Sequence, residues 1–168
     1  MGAGQGRAAR SDAEKESMGE QGGRVVALRM VVRPARLRVV LDTNLFVAAY
    51  WNPRSAPARV LSACEENQLQ LLYSAAIRRE MDHILRKAHT SEAFRHRVSL
   101  LLEDAEEVCP TRTLHLVQDD PEDDKFLECA LEGDADYLIS SDAHLLRLGP
   151  IDGACIIKPG AFARAHLM

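Results

Sequence analysis

The sequence predicts an α/β fold, a parallel sheet with helices on both faces. Two observations predict it. Short β-branched or apolar runs alternate with segments whose apolar residues recur at helical spacing. The runs themselves are apolar throughout, as strands are when helices cover both of their faces.

The elements follow in order. Leu37-Arg38-Val39-Val40-Leu41 reads as a buried strand that stops at Asp42. Asn44 to Tyr50 reads as a short helix, and Asn52, Pro53 and Pro57 break the chain after it. Ala58, Leu61 and Ala63 belong to a second helix ending near Asn67, and Leu69 to Ser74 is a second strand. Ile77, Met81, Ile84, Leu85 and Ala88 mark a third helix, and residues 91–108 a fourth with Phe94, Val98, Leu101, Leu102 and Ala105 on one face. Asp120-Pro121-Glu122-Asp123 has the form of a helix start, with Phe126, Leu127, Ala130 and Leu131 as its buried stripe and Gly133 as its stop. Tyr137 to Ser141 is a strand ending at Asp142, Ala143–Leu148 one or two helical turns, Ala154–Ile157 a last strand and Pro159–His166 a terminal helix.

Length and charge narrow the function. The 168 residues amount to one domain's worth of chain. Residues 1–35 are expected to be a disordered N-terminal extension, since the first 23 are rich in Gly, Ser, Ala, Glu and Gln and cannot bury enough apolar surface. Met30 is an alternative translation start. Residues 36–168 are expected to form the folded domain. Residues 1–38 carry a net charge of +4 and residues 39–168 a net charge of −8, which argues against a globally basic nucleic-acid binder. Four cysteines, at 64, 109, 129 and 155, form no Cys-x-x-Cys and read as reduced thiols. With no apolar run near the roughly 18 residues that span a bilayer and no signal-peptide core, a cytoplasmic location away from the membrane is expected.

Candidate chemistry gathers on acids. In an open parallel sheet, ligands bind at the carboxyl ends of the strands, and Asp42 and Asp142 each follow a strand. The plain alternative is that each caps the next helix. Glu80 lies at the edge of the third helix's apolar stripe, where an ordinary boundary residue would also sit. Asp123 stands three and four residues before Phe126 and Leu127, along the side of that stripe, and Asp124, about 100° round the wheel, is the runner-up. Carboxylates without a paired-histidine helix face favour Mg²⁺ or Mn²⁺ over zinc. No Gly-x-Ser-x-Gly or Walker lysine loop competes. Arg54, Arg59, Arg78, Arg79, Arg86 and Lys87 lie in or near the helices flanking Asp42 and Glu80 and are candidate phosphate contacts, with ordinary surface charge as the alternative.

Val39-Val40-Leu41-Asp42-Thr43-Asn44, Ile77-Arg78-Arg79-Glu80-Met81, Asp120-Pro121-Glu122-Asp123-Asp124-Lys125-Phe126-Leu127 and Ala135-Asp136-Tyr137-Leu138-Ile139-Ser140-Ser141-Asp142 occur in this order. Together they resemble a PIN domain over about residues 37–165, and in particular the bacterial branch of toxin components of toxin–antitoxin systems. The resemblance implies a three-layer α/β/α fold with a central, mainly parallel sheet, and a metal-dependent ribonuclease acting on single-stranded RNA. It implies Asp42, Glu80, Asp123 and Asp142 as metal acids, with Asn44 and Ser140 as polar helpers. It also implies a cognate antitoxin as partner and a homodimer as a state to test. Ser140-Ser141 replaces a more usual Thr-containing pair and keeps a hydroxyl. Two other functions compete. An aspartyl-nucleophile phosphatase would use Asp42 but wants an Asp where Asn44 stands. The fold could also serve as an interaction module without activity.

Overall fold

The computed structural model describes residues 35–167, and the expectations about the N-terminal extension and Met30 lie outside the described residues. Five strands, all parallel, form the central layer: β1 (Leu37–Leu41), β2 (Leu69–Tyr73), β3 (Glu106–Glu107), β4 (Tyr137–Ile139) and β5 (Cys155–Ile157). Their spatial order is β3-β2-β1-β4-β5. Val40 of β1 pairs with Leu72 of β2 on one side and Leu138 of β4 on the other, and the β1–β4 boundary is where the winding of the sheet reverses. Among the described residues seven helices flank the sheet: α1 (Thr43–Trp51), α2 (Ala56–Glu65), α3 (Ala75–Lys87), α4 (Glu92–Asp104), α5 (Asp124–Glu132), α6 (Ala143–Leu146) and α7 (Pro159–His166). The architecture is the expected three-layer α/β/α sandwich.

The local signals act where they stand. Ser55, Ser74 and Ser91 precede α2, α3 and α4, and each hydroxyl accepts the amide N–H three residues on. The core runs along both sheet faces, from Val39, Val40, Leu72, Leu138 and Ile139 in the strands to Phe46, Ile77, Met81, Phe126 and Phe162 in the helices. Burial of Cys64 and Cys129 pushes both thiols up to about 12, so they act as small apolar fillers.

One sequence expectation is corrected. The fourth helix ends at Asp104 instead of running to 108, and Glu106–Glu107 become the edge strand β3, paired with Leu72 and Tyr73. Arg38 accounts for the placement. Its guanidinium donates to both carboxylate oxygens of Glu106 (2.9 and 3.0 Å) and to the carbonyl of Gly133, joining β1, β3 and the end of α5. The expected helix stop at Gly133 holds. It ends α5, but its φ is −88°, which any residue adopts, and the left-handed residue is Asp134 (φ 56°). The constraint is packing: a Cβ at position 133 would stand 2.8 Å from Leu72 Cδ1 and 2.9 Å from Val108 Cγ2, with the Cys129 carbonyl at 3.1 Å behind it. Gly133→Ala is therefore expected to destabilise the fold by about 1–3 kcal/mol through overpacking. A thermal melt checks it, and an unchanged Tm would show that the Leu72 and Val108 side chains give way freely.

Candidate active site

Strand ends and helix starts build the site. The sheet ladder continues one residue past β1 and β4: the Asp42 amide donates to the Ile139 carbonyl (3.1 Å) and the Ser140 amide to the Ile157 carbonyl (3.0 Å). These bonds fix Asp42 beside Ser140 at the reversal point of the sheet. The Ser140 hydroxyl, fully buried, donates to Asp42 Oδ2 at 2.6 Å and accepts the Asp142 amide at 2.9 Å. Asp42 Oδ1 accepts the Asn44 amide (3.1 Å), and Asp142 Oδ1 accepts the His144 amide (2.7 Å). Both strand-end acids thus cap helices, and both also line one cleft.

The third aspartate joins them across the sheet. α5 packs over β1, β2 and β4, and a single 3-10 turn (Pro121–Asp123) leads into it. Asp123, half-buried, makes no capping bond; its carboxyl instead shares a hydrogen bond with Asp142. Burial first, then that hydrogen bond and the charges of Asp120, Asp42 and Asp142, push its pKa up to about 7. Asp42 is also raised, by burial chiefly and by the charges of Asp142 and Glu80, against the lowering effect of the Ser140 and Asn44 hydrogen bonds.

The acid-rich stretch 119–124 sorts by partner. Asp119 meets His144 Nδ1 (3.1 Å) and Arg147 (3.2 Å). Asp120 accepts the Glu122 amide and caps the 3-10 turn. Asp124, buried, accepts the amides of Leu116 and Val117 and pins the preceding loop. The 3-10 turn shifts the helical phase, so Asp124 occupies the buried side that the wheel assigned to Asp123, and Asp123 turns to Asp142.

Glu80 has a partner that the sequence reading did not name. Lys125 Nζ, itself only 12% exposed, stands 2.6 Å from Glu80 Oε1 and also donates to the Glu122 carbonyl. The signal was present in the Asp-Asp-Lys run, but only the packing of α3 against α5 makes it readable. Thr43, the first residue of α1, is buried with no hydrogen-bond partner for Oγ1 among the described residues.

A cleft of about 300 Å³ opens over the acids, lined by Asp42, Asn44, Leu45, Ala48, Pro57, Ser141 and Asp142. Asn44 is exposed there. The candidate arginines scatter. Arg59 donates to the Leu167 carbonyl and lines a different cleft, with Pro53 and Gln68. Arg54 and Arg79 are exposed, and Arg78 faces α4 through Ser99.

Among the described residues no three acidic, histidine or cysteine side chains surround one point as a ready cage. The donor set still fits a hard divalent ion. It offers carboxylate oxygens that repel one another, and Mg²⁺ is commonly held by one or two carboxylates while keeping several waters.

Comparison with known proteins bears on the family and the fold. A sequence model described as PIN domain matches residues 38–144. No protein of curated function matches the chain significantly. Among solved structures, VapBC2 from Rickettsia felis, bound to a DNA fragment from its promoter, is similar in fold. The TM-score is 0.52 at 16% identity, covering 73% of this chain and 98% of that one.

The pKa directions predict a pH dependence of stability. A carboxyl raised to about 7 in the folded chain holds a proton that the unfolded chain, near 3.8, releases. The stabilisation from that proton is complete below about pH 4 and disappears as pH rises through about 7. In chelator, the chain is expected to melt lower at pH 8 than at pH 6, and Asp123→Asn to narrow the difference. Equal differences for wild type and variant would contradict the raised pKa of Asp123.

Proposed function

We propose that this chain, which belongs to the PIN domain family, is a metal-dependent endoribonuclease that hydrolyses phosphodiester bonds of single-stranded RNA. The observation that supports the reading is the pair of strand-end aspartates, Asp42 and Asp142, tied through the Ser140 hydroxyl at the sheet's reversal point and lining one cleft, with the charges of both acting on Asp123. A site with that much uncompensated carboxylate is a site for a cation.

Mg²⁺ or Mn²⁺, when bound, supplies a Lewis acid for the phosphoryl oxygen and a lowered pKa for the attacking water. The chain supplies the rest. Ser140 and the Asn44 amide each engage one oxygen of Asp42, which fixes the carboxylate plane and leaves a lone pair on each oxygen. Asp142 is oriented the same way by the His144 amide. Asp123, whose carboxyl is raised to about 7, would have to lose its proton to help hold a cation, so cation affinity should rise with pH through about 7. Glu80, paired with Lys125 and felt by Asp42 as a charge, would act on a cation through intervening water. Asn44, exposed at the mouth of the cleft, donates to the scissile phosphate.

The toxin role in a toxin–antitoxin pair, with a cognate antitoxin as its silencing partner and the cytoplasm as its place of action, rests on the motif resemblance. The likeness in fold to VapBC2, solved with promoter DNA, is in keeping with it. Residues 36–168 constitute the catalytic domain in this reading.

The test is cleavage of labelled single-stranded RNA with Mn²⁺ or Mg²⁺ and with chelator. Asp42→Asn and Asp142→Asn are expected to cut the rate at least about a hundredfold, the cost of several kcal/mol of transition-state stabilisation. Both should stay folded, because asparagine caps helices as well as aspartate does. Wild type should gain Tm with either ion by mass action, and Asp42→Asn should gain less. Robust cleavage by either variant, or cleavage that persists in chelator, would sink the mechanism. A wild type with neither cleavage nor a metal-induced Tm shift would favour the interaction module.

A further inference from the structure

We propose that the cleft between α3 and α4, rimmed by Arg78, Arg86 and Arg95, is a separate nucleic-acid contact that grips the phosphate backbone of single-stranded RNA; that RNA is the ligand rests on the function proposed above. The need for such a contact follows from charge. Residues 39–168 carry a net charge of −8, and the catalytic acids repel the phosphates they are to cleave. Grip has to come from a locally positive surface, because phosphate neutralisation supplies most sequence-independent affinity.

The α3–α4 cleft, about 240 Å³, is such a surface. Leu85, Val98 and Leu102 close its floor and are buried, so the apolar faces of both helices are already covered. The rim holds three guanidinium groups against one carboxylate, Asp82. Their donors are nearly unspent. Arg78 reaches only Ser99 Oγ, at 3.5 Å, and Arg95 only the Thr90 carbonyl; Arg86 has no hydrogen bond or ion pair among the described residues. Asp82 forms no ion pair with any of them among the described residues. By contrast, Arg38, Arg97 and Arg147 are each tied to a glutamate or aspartate. In a domain with an excess of acids, three neighbouring arginines without carboxylate partners leave a locally positive patch that an outside anion can neutralise.

The shape of the cleft favours a phosphate backbone over an acidic protein segment. Guanidinium forks match phosphate oxygens in pairs. A protein partner would want an apolar anchor in a pocket. The large exposed apolar side chains among the described residues are Trp51, Leu100 and Leu116, and none of them lines this cleft. The cleft is also rigidly coupled to the acids, since α3 carries both Arg78 and Glu80.

The experiment is fluorescence anisotropy of a labelled, mixed-sequence single-stranded RNA with the full chain, in chelator so that nothing is cleaved. Arg86→Gln breaks no internal bond and is the leading variant; it should bind about fivefold more weakly at 0.1 M salt, and the slope of log K against log[salt] should fall by about 0.7. Replacing all three arginines by Gln should cost about a hundredfold. Asp82→Asn should tighten binding severalfold, a gain that misfolding cannot produce. Arg112→Gln, in an exposed stretch, is the control and should change neither quantity. Unchanged affinity and salt slope for both Arg86→Gln and Asp82→Asn would overturn the proposal, as would arginine-dependent binding of a polyglutamate peptide with no binding of RNA. Wild type that cleaves RNA while the triple variant binds it undiminished removes this contact alone. Wild type that binds no single-stranded RNA even at low salt removes the RNA reading of the active site as well.

Discussion

Asp42 is a carboxylate with 4% of its surface exposed, at the end of the central strand, and the arrangement of the site answers the cost of keeping it there. A charge taken out of water without partners costs several kcal/mol or reverts to its neutral form. Here the Ser140 hydroxyl and the Asn44 amide meet the two oxygens. The Ser140 hydroxyl in turn accepts the Asp142 amide, so one buried group sets the geometry of both strand-end acids. That bridge requires β1 and β4 to be neighbours in register, with Leu41 opposite Ile139. What hydrogen bonds leave unbalanced appears one step out, in the raised pKa of Asp123.

The strands that shape this site were legible because their residues are apolar on both faces, and the helices because apolar spacing and serine caps agree at Ser55, Ser74 and Ser91. β3 was not legible. Glu106 and Glu107 have no strand pattern, and pairing is imposed on them by the free backbone edge of Leu72 and Tyr73 and by the reach of Arg38. In the site, the strand-end acids were readable from position alone. The choice between Asp123 and Asp124 was not, because an ideal wheel has no 3-10 turn in it. Lys125 was hidden for a related reason: its partner Glu80 lies 45 residues away, and the pair exists only through the contact of α3 with α5.

The molecule also separates its charges by place. Aspartates meet at the strand ends, Lys125 pairs with Glu80, and arginines without acidic partners line the outer groove of α3 and α4. A net charge taken over the whole domain hides this division, since the two regions contribute opposite signs.

The brevity of β3 bears on self-association. An open sheet edge is a template on which another chain can add a strand, and long flat edges recruit their own kind. Here the outermost strand offers two residues, both glutamates, one of them clasped by Arg38. An incoming strand would find few backbone groups free and carboxylates flanking them. At the opposite edge β5 has three residues before Lys158 and Pro159 turn the chain into α7. The parallel sheet is thus guarded at both borders against growing into a fibril.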